Sequence, residues 1–338
     1  MCQMTSALDS AARLSVAPMM DWTDRHCRFF LRLVTPDALL FTEMVTADAI
    51  IHGDRERLLG HDTAEHPLAL QLGGSDPEKL AKAAKIALDY GFAEINLNVG
   101  CPSDRVQSGR FGACLMAEPE LVAACCTAMA SVTGDFNVPV SVKCRIGIDD
   151  MDSETGLDAF THAVGEAGVT LLYVHARKAW LKGLSPKENR DIPPLDYDRV
   201  KRLVGAFPQI DIHINGGIVT LDTVRELAPY FAGMMLGRVA YKTPMMLAHI
   251  AHDLFGTAVP NRANIATSMA DYADEKTAAG VPLHAITRHM LGLYNGQRGA
   301  KLWRRCLGEE ARLRSADGGQ LIRETATACE AMAAQIAA

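Results

Sequence analysis

One cysteine, Cys101, stands in a glycine-rich loop, GCPSDRVQSGRFGACLM (100–116), directly after a short apolar segment. A thiol at the end of a strand can serve as a nucleophile or, while it keeps its proton, as a general acid. The nine cysteines include no CxxC pair and no Cys/His cluster of zinc-like spacing. We therefore predict reduced, mostly buried thiols, and neither a disulfide framework nor a metal site. Its position distinguishes Cys101 from the other cysteines.

Two basic side chains stand near the ends of other apolar segments, Lys143 in VPVSVKCR (138–145) and His175 in TLLYVHA (170–176). If they face one cavity, they could balance negative charge on a reduced flavin, or Lys143 could form a Schiff base as in barrel aldolases. Alternatively, the lysine pairs with a carboxylate and the histidine is hydrogen-bonded in the core. Their spacing leaves these interpretations open.

Glycine-rich turns follow two further segments, Asn215-Gly216-Gly217 after one and Gly237-Arg238 after the next. Glycines let backbone N–H groups approach an anion closely, and an arginine adds a bidentate charge. Either turn alone could simply be tight. Both together, in this order, favour a phosphorylated cofactor or substrate.

The elements that must position these residues are eight short apolar segments, each followed by a turn signal and a stretch with helical spacing. Strand and helix therefore alternate eight times. This alternation predicts an α/β protein with a parallel sheet and, at this length, a closed (β/α)8 TIM barrel whose active site lies at the carboxyl ends of the strands. The segments are 14–19, 39–45, 67–73, 94–100, 138–145, 170–176, 210–216 and 232–238.

Polar residues alternate with apolar ones inside some of these segments. In EINLNVG (94–100), Glu94, Asn96 and Asn98 share one face of the predicted strand. Strands of a parallel sheet are normally apolar on both faces. We therefore predict a barrel mouth that something polar occupies.

Strand signals stop near residue 250, and the rest of the chain has helical spacing. We predict a catalytic barrel over residues 1–250 and a small C-terminal all-α helical bundle over 251–338. The segments predicted to be helical are ANIATSMADYADEKTAAG, LHAITRHMLGLYNG, GAKLWRRCLGEEARL and LIRETATACEAMAAQIAA.

Two basic regions stand out. Residues 277–308 contain no Asp or Glu. On a continuous helix, Arg298, Lys301 and Arg305 would share one face with Arg304 beside them. Such a surface is often only a solvated face, but the absence of acids favours contact with phosphates. The second region follows the sixth segment, where it could grip RNA or act as a flexible lid, and comprises Arg177, Lys178, Lys182, Lys187 and Arg190.

The 338 residues are 49% hydrophobic and 22% charged, with a net charge of −6, which is typical of a folded globular protein. No apolar run approaches the ~18 residues needed to cross a bilayer. Asp9 and Arg13 fall where a signal peptide would have its apolar stretch. We expect a cytoplasmic protein without a membrane segment. Nothing indicates an obligate protein partner, which is compatible with a monomer.

Long motifs of this chain resemble those of the tRNA-dihydrouridine synthases, most closely their A subfamily. The resemblance covers roughly residues 14 to 310, and the length of its second motif makes chance implausible. The motifs are PMMDWTDRHCR (18–28), NLNVGCPSDRVQSGRFGACLM (96–116), VSVKCRIGID (140–149), VHARKAWLKGLSPKENRDIPPLDY (174–197) and HINGGI (213–218).

The resemblance implies FMN-dependent reduction of D-loop uridines of tRNA, U20 and U20a, to dihydrouridine, with NADPH as the source of electrons. It implies that Cys101 is the general acid, that Asn98 orients the uracil, and that Lys187 and Arg190 contact the tRNA. Ser108 and Lys301 fall where the family is expected to vary. The implied flavin contacts are Ala17, Pro18, Met19, Gln71, Lys143, His175, Asn215, Gly216, Gly217, Gly237 and Arg238.

Three other functions compete with this one. A small-molecule FMN oxidoreductase of the dihydropyrimidine or dihydroorotate type would share the barrel but would not need a basic helical tail. A Schiff-base aldolase using Lys143 leaves Cys101 unexplained. A tRNA-binding or folding module with a vestigial barrel belongs to a different class and would bind no flavin.

Overall fold

Eight parallel strands close into one barrel in sequence order, with β8 paired to β1. The computed structural model describes residues 14–103, 109–314 and 318–334. Each strand falls within a segment predicted from the sequence, or extends one residue beyond it, and the predicted (β/α)8 fold is confirmed. The strands are β1 (Leu14–Val16), β2 (Leu39–Thr46), β3 (Leu68–Gly73), β4 (Glu94–Val99), β5 (Val140–Arg145), β6 (Leu171–His175), β7 (Asp211–Asn215) and β8 (Gly233–Leu236).

The helices follow from local sequence signals. The fourth begins with Pro77 after the cap Asp76, whose carboxylate accepts from the backbone N–H groups of Glu78 and Lys79. The described α-helices are α1 (Arg25–Val34), α2 (Ala47–His52), α3 (Arg55–Leu59), α4 (Pro77–Leu88), α5 (Pro119–Thr133), α6 (Thr155–Glu166), α7 (Tyr197–Ala206), α8 (Leu221–Leu227), α9 (Arg238–Lys242), α10 (Pro244–Phe255), α11 (Arg262–Ala278), α12 (Leu283–Thr287), α13 (Ala300–Arg305), α14 (Ala311–Leu313) and α15 (Gln320–Ala334).

The chain forms two compact units. The barrel unit contains residues 14–20 and 39–237, and the helical unit contains 21–38 and 238–334. The sequence-based boundary at residue 250 therefore differs from the structural one in two places. Helix α1 belongs to the helical unit because its Phe29 stacks on Tyr272 of α11 at a ring distance of 4.1 Å. Helices α9 and α10 also lie in that unit.

The helical unit departs from the sequence prediction between Leu283 and Gly296. A continuous helix was predicted, but α12 ends at Thr287 and turns follow. Buried tertiary hydrogen bonds accompany this bend, since Thr287 Oγ1 donates to Leu307 O at 2.8 Å and Trp303 Nε1 donates to Met290 O at 2.8 Å. Each side-chain donor satisfies a carbonyl from a distant part of the chain. The C-terminal region as a whole is helical, as predicted.

Among the described helices, none is long and apolar enough to cross a membrane.

Candidate active site at the barrel mouth

The closed parallel barrel brings the carboxyl ends of all eight strands to one mouth. Ala17, directly after β1, donates its N–H to Leu236 O at the end of β8. Pro18 and Met19 continue from Ala17 as a part-buried segment without regular secondary structure. The residues predicted for the site lie mostly at or within two residues of a strand end. Gln71 and Lys143 are two residues inside the ends of β3 and β5, while His175 and Asn215 end β6 and β7.

Cys101 is held in a turn by the side chain of Asn98. The Asn98 Oδ1 atom accepts from the backbone N–H groups of Gly100 at 3.1 Å and Cys101 at 3.0 Å. The Cys101 carbonyl accepts from Ala113 N at 2.9 Å, which ties the far side of the loop back to the strand end. The thiol is part-buried, and its Sγ lies 3.6 Å from Ser103 Oγ. Ser108 and its neighbours 104–107 lie outside the described residues.

Gln71 joins the same arrangement from the neighbouring strand. Its Oε1 accepts from Asn98 Nδ2 at 2.7 Å, and its Nε2 donates to Asn96 Oδ1 at 2.8 Å. Gln71 and Asn98 are both buried. Two residues predicted to bind different ligands, flavin and uracil, are therefore in direct contact.

Lys143 and Asn215 also meet in the mouth. Lys143 Nζ donates to Asn215 Oδ1 at 3.3 Å, and Asn215 Nδ2 donates to Met235 O at 2.7 Å. Burial lowers the pKa of Lys143 to about 8, with a further contribution from the Arg145 guanidinium. The amide thus orients the ammonium without neutralising its charge, and the described contacts give no carboxylate partner of the kind that one interpretation required.

His175 lies among positive charges. Burial holds its pKa well below the ordinary value, and Arg145, Lys143, Arg177 and Arg190 lower it further. Within the described residues, its Nδ1 atom is buried without a hydrogen-bond partner. A buried polar atom left unsatisfied in this way is costly unless a ligand or water satisfies it.

The glycine turn after β7 is closely packed. Gly217 has φ +69°, and a Cβ there would lie 2.4 Å from Leu195 Cδ1 and 2.8 Å from Tyr197 Oη. Tyr197 also donates to Gly216 O at 2.6 Å. A side chain at Gly217 would therefore clash with its neighbours, and the Tyr197 hydroxyl fixes the backbone at Gly216. After β8, a Cβ on Gly237 would meet nothing within 4 Å, and Arg238 begins α9 of the helical unit.

Arg145 joins two loops at the mouth, a role that the sequence pattern did not predict. Its guanidinium donates to Gly100 O at 2.9 Å, to Lys178 O at 3.0 Å and to Asn189 O at 2.9 Å. The side chain is buried, and burial lowers its pKa to about 10. Three carbonyls of two loops therefore bind one cation, which fixes the Cys101 loop relative to the basic loop after β6.

The basic loop after β6 is organised around a buried asparagine. Asn189 Oδ1 accepts from Trp180 N at 2.8 Å, and its Nδ2 donates to Trp180 O at 2.8 Å. Lys187 and Arg190 flank this anchor and are exposed. The two cations thus flank a residue that is anchored to the backbone of Trp180 by two hydrogen bonds.

The predicted basic face of the helical unit is only partly correct. Helix α13 begins at Ala300, after Gly299 with φ +85°, so Arg298 precedes the helix and does not share its face. Lys301, Arg304 and Arg305 lie on α13 and are exposed. Arg304 donates to Asn295 Oδ1 at 3.1 Å, and Arg305 Nε lies 3.4 Å from a Glu310 carboxylate oxygen. Although residues 277–308 contain no acid, the fold therefore brings Arg305 close to a carboxylate just outside this stretch.

The polar inner face predicted for β4 is confirmed. Its residues farther from the mouth, Glu94 and Asn96, form their hydrogen bonds with other side chains of the barrel. Asn96 Nδ2 donates to Ser141 Oγ at 2.7 Å, Ser141 donates in turn to Glu94, and Tyr173 Oη donates to Glu94 at 3.0 Å. The alternation within EINLNVG (94–100) was the sequence signal for Glu94 and Asn96. Their partners could not be read from it.

Comparisons with known proteins agree with this geometry. A family model described as dihydrouridine synthase matches residues 15–331. A protein of Vibrio parahaemolyticus named tRNA-dihydrouridine(20/20a) synthase is 55% identical over 304 residues, which cover 89% of this chain and 92% of that protein. One of the same name from Xanthomonas campestris is 50% identical and covers 98% of both chains.

Among solved structures, an old yellow enzyme homologue from Zymomonas mobilis and morphinone reductase share the barrel fold. Both have a TM-score of 0.52 and 12% identity over 74% of this chain, and the match covers 90% and 87% of those proteins. This likeness concerns the fold alone. The sequence matches decide the family, and the chain belongs to the dihydrouridine synthases.

Proposed function

We propose that this protein reduces uridine to dihydrouridine in the D-loop of tRNA, at U20 and U20a, with FMN as cofactor and NADPH as reductant. Family membership and the names of relatives at 50–55% identity support the reaction and the positions. The reductant and the identity of the flavin come from the motif resemblance alone.

The observation that carries the proposal is the turn in which Asn98 holds Cys101. One amide oxygen binds two successive N–H groups, so the Asn98 side chain lies directly against the backbone of Cys101 just after the end of β4. A pyrimidine bound there can be oriented by an amide and protonated by a thiol. Neither an aldolase nor a vestigial barrel needs this pair.

The residues at the mouth fit an anionic flavin. Lys143, Arg145, Arg177 and Arg190 all act on His175 as positive charges, and the buried His175 Nδ1 has no partner among the described residues. An anion offsets this accumulated charge. In our proposal Gln71, Lys143, His175 and Ala17-Pro18-Met19 hold the ring system. The backbone at Asn215-Gly216-Gly217 and Gly237, with Arg238, holds the phosphate.

The chemistry divides between cofactor and protein. When bound, the flavin supplies the hydride that adds to one carbon of the uracil double bond. Cys101 holds a proton at Sγ and delivers it to the adjacent carbon, where enolate character develops through conjugation with the carbonyl. Asn98 orients the ring. A positioned general acid of this kind contributes ~10²- to 10⁴-fold to the rate.

A D-loop uridine must be turned out of the folded tRNA before it can enter a barrel mouth, so the surrounding backbone has to be held. We propose that Lys187 and Arg190 make such contacts from the barrel unit. The helical unit contributes further phosphate contacts as the tRNA-binding domain, through Arg298, Lys301, Arg304 and Arg305.

The test compares Cys101→Ala with Cys114→Ala, which removes another part-buried thiol close by in the sequence. The wild type is expected to be yellow, and to form dihydrouridine in unmodified tRNA but not in free uracil. Cys101→Ala should abolish turnover while it retains bound flavin, and Cys114→Ala should stay active. A colourless wild type that does not take up FMN would overturn the proposal, as would reduction of free uracil at the same rate.

A further inference from the structure

A one-directional chain of hydrogen bonds runs through the barrel from the Cys101 turn to a buried carboxyl. The Cys101 N–H donates to Asn98, Asn98 Nδ2 donates to Gln71, and Gln71 Nε2 donates to Asn96. Asn96 Nδ2 then donates to Ser141, whose hydroxyl donates to Glu94. The four donor–acceptor distances along the amides lie between 2.7 and 3.0 Å.

The direction of this chain is fixed at both ends. A backbone N–H can only donate. At the other end, Glu94 accepts from two hydroxyls, that of Ser141 at Oε1 and that of Tyr173 at Oε2. Each amide between them has two orientations that differ in which atom accepts, and only one orientation at each position lets every donor meet an acceptor. A flip at Asn96 would place two NH2 groups against each other at Gln71, and that repulsion would pass on to Asn98.

We propose that Glu94 is a positioning residue for the reaction, acting through Ser141 and Asn96 to set the amide orientation of Gln71 and Asn98 and thereby the turn that carries Cys101. This inference rests on the proposed function, because its readout is uridine reduction. Glu94, Asn96 and Ser141 are almost completely buried and lie below the mouth. They act on the reacting groups only through their neighbours.

The barrel offers a matched pair of variants. Ser141 and Tyr173 are both fully buried, and each donates a hydroxyl to Glu94, Ser141 to Oε1 and Tyr173 to Oε2. Only Ser141 belongs to the chain that leads to Cys101. If Glu94 acts merely as a structural acceptor, loss of either hydroxyl should have similar consequences.

The experiment measures dihydrouridine formation in tRNA, flavin content and melting temperature for Ser141→Ala, Tyr173→Phe and Ser141→Thr. We expect Ser141→Ala to lower kcat about tenfold with KM for tRNA within about twofold, since the Asn96 amide then lacks an acceptor. Tyr173→Phe should change neither constant by more than about twofold. Ser141→Thr keeps the hydroxyl and should restore kcat to within about threefold of the wild type.

Equal losses in Ser141→Ala and Tyr173→Phe, or no loss in either, would overturn the inference. If Ser141→Ala does not fold, Ser141→Cys carries the same expectation, because a thiol fills the space but hydrogen-bonds weakly. A wild type that fails to reduce tRNA would overturn the proposed function. If the wild type is active but Ser141→Ala and Tyr173→Phe cannot be distinguished, only the inference about the hydrogen-bond chain is overturned, and the proposed function stands.

Discussion

The barrel interior has a lower layer and a mouth that satisfy their polar groups differently. In the lower layer, Glu94 accepts from two hydroxyls, and Asn96 has a partner for both its oxygen and its nitrogen. At the mouth, cations surround His175, whose buried Nδ1 has no partner among the described residues. The Glu94 and Asn96 side chains thus find their partners within the chain, whereas at the mouth positive charge accumulates around a histidine whose buried Nδ1 is unsatisfied.

Neutralising Lys143 should have the largest effect on this contrast. We expect Lys143→Met to lower the rate of dihydrouridine formation by ~10²- to 10³-fold, the range found when one preorganised charge-stabilising donor is removed. The affinity of the wild-type apoprotein for FMN should fall as pH rises through about 8, the pKa of Lys143. The affinity of the variant should not show this decrease. Titration of FMN fluorescence across pH measures it.

The control for this prediction is Lys79→Met on helix α4, where the ammonium pairs with Asp48 at 2.9 Å. Its FMN affinity and pH profile should match the wild type. Equal behaviour of the two methionine variants would contradict the assignment of the mouth as an anion site.

Replacing Glu94 tests the lower layer through stability. Burial raises the pKa of this carboxyl to about 7, so between about pH 4.5 and 7 the folded chain keeps a proton that the unfolded chain releases. Stability should therefore fall as pH rises through this interval, by about 3 kcal/mol for a shift of this size. Glu94→Gln should lack this dependence. Urea unfolding at pH 4.5 and pH 7.5 measures both proteins, and parallel curves would refute the prediction.

Reversing charge on the rim should have a smaller effect, restricted to RNA. We expect Lys187→Glu combined with Arg190→Glu to weaken tRNA binding about tenfold at low salt and to reduce the slope of log K against log salt by about 0.7–0.9 for each phosphate that the variant no longer neutralises. Filter binding across salt concentrations measures this. Lys201→Glu with Arg202→Glu on α7 is the control, and a similar loss there would mean non-specific electrostatics.

The smallest effect is expected at the glycine turn. Tyr197→Phe removes the hydroxyl that donates to Gly216 O at 2.6 Å and should weaken FMN binding about three- to tenfold, the cost of one hydrogen bond. The value of kcat should change less than about twofold. Tyr230→Phe, at an exposed tyrosine, serves as the comparison in the same FMN titration. Unchanged affinity in Tyr197→Phe would show that the turn needs no support.

Much of the fold and of the site follows from the sequence. The eight strand segments, the polar face of β4 and the position of Cys101 after a strand are local patterns, and local patterns survive in any fold that uses them. The long motif around Cys101 was sufficient to indicate the family. The predicted helical face at Arg298 failed because a glycine at positive φ precedes α13, which therefore starts only at Ala300.

Only the tertiary structure decided which polar residues are partners. Tyr173 and Glu94 are 79 positions apart, and Arg145 meets Gly100 across 45. It also assigned α1 to the helical unit and ended α12 at Thr287, where distant side chains bind carbonyls. Sequence periodicity reports which way a side chain faces. The hydrogen bond it makes there depends on strands whose order and register are fixed only when the barrel closes.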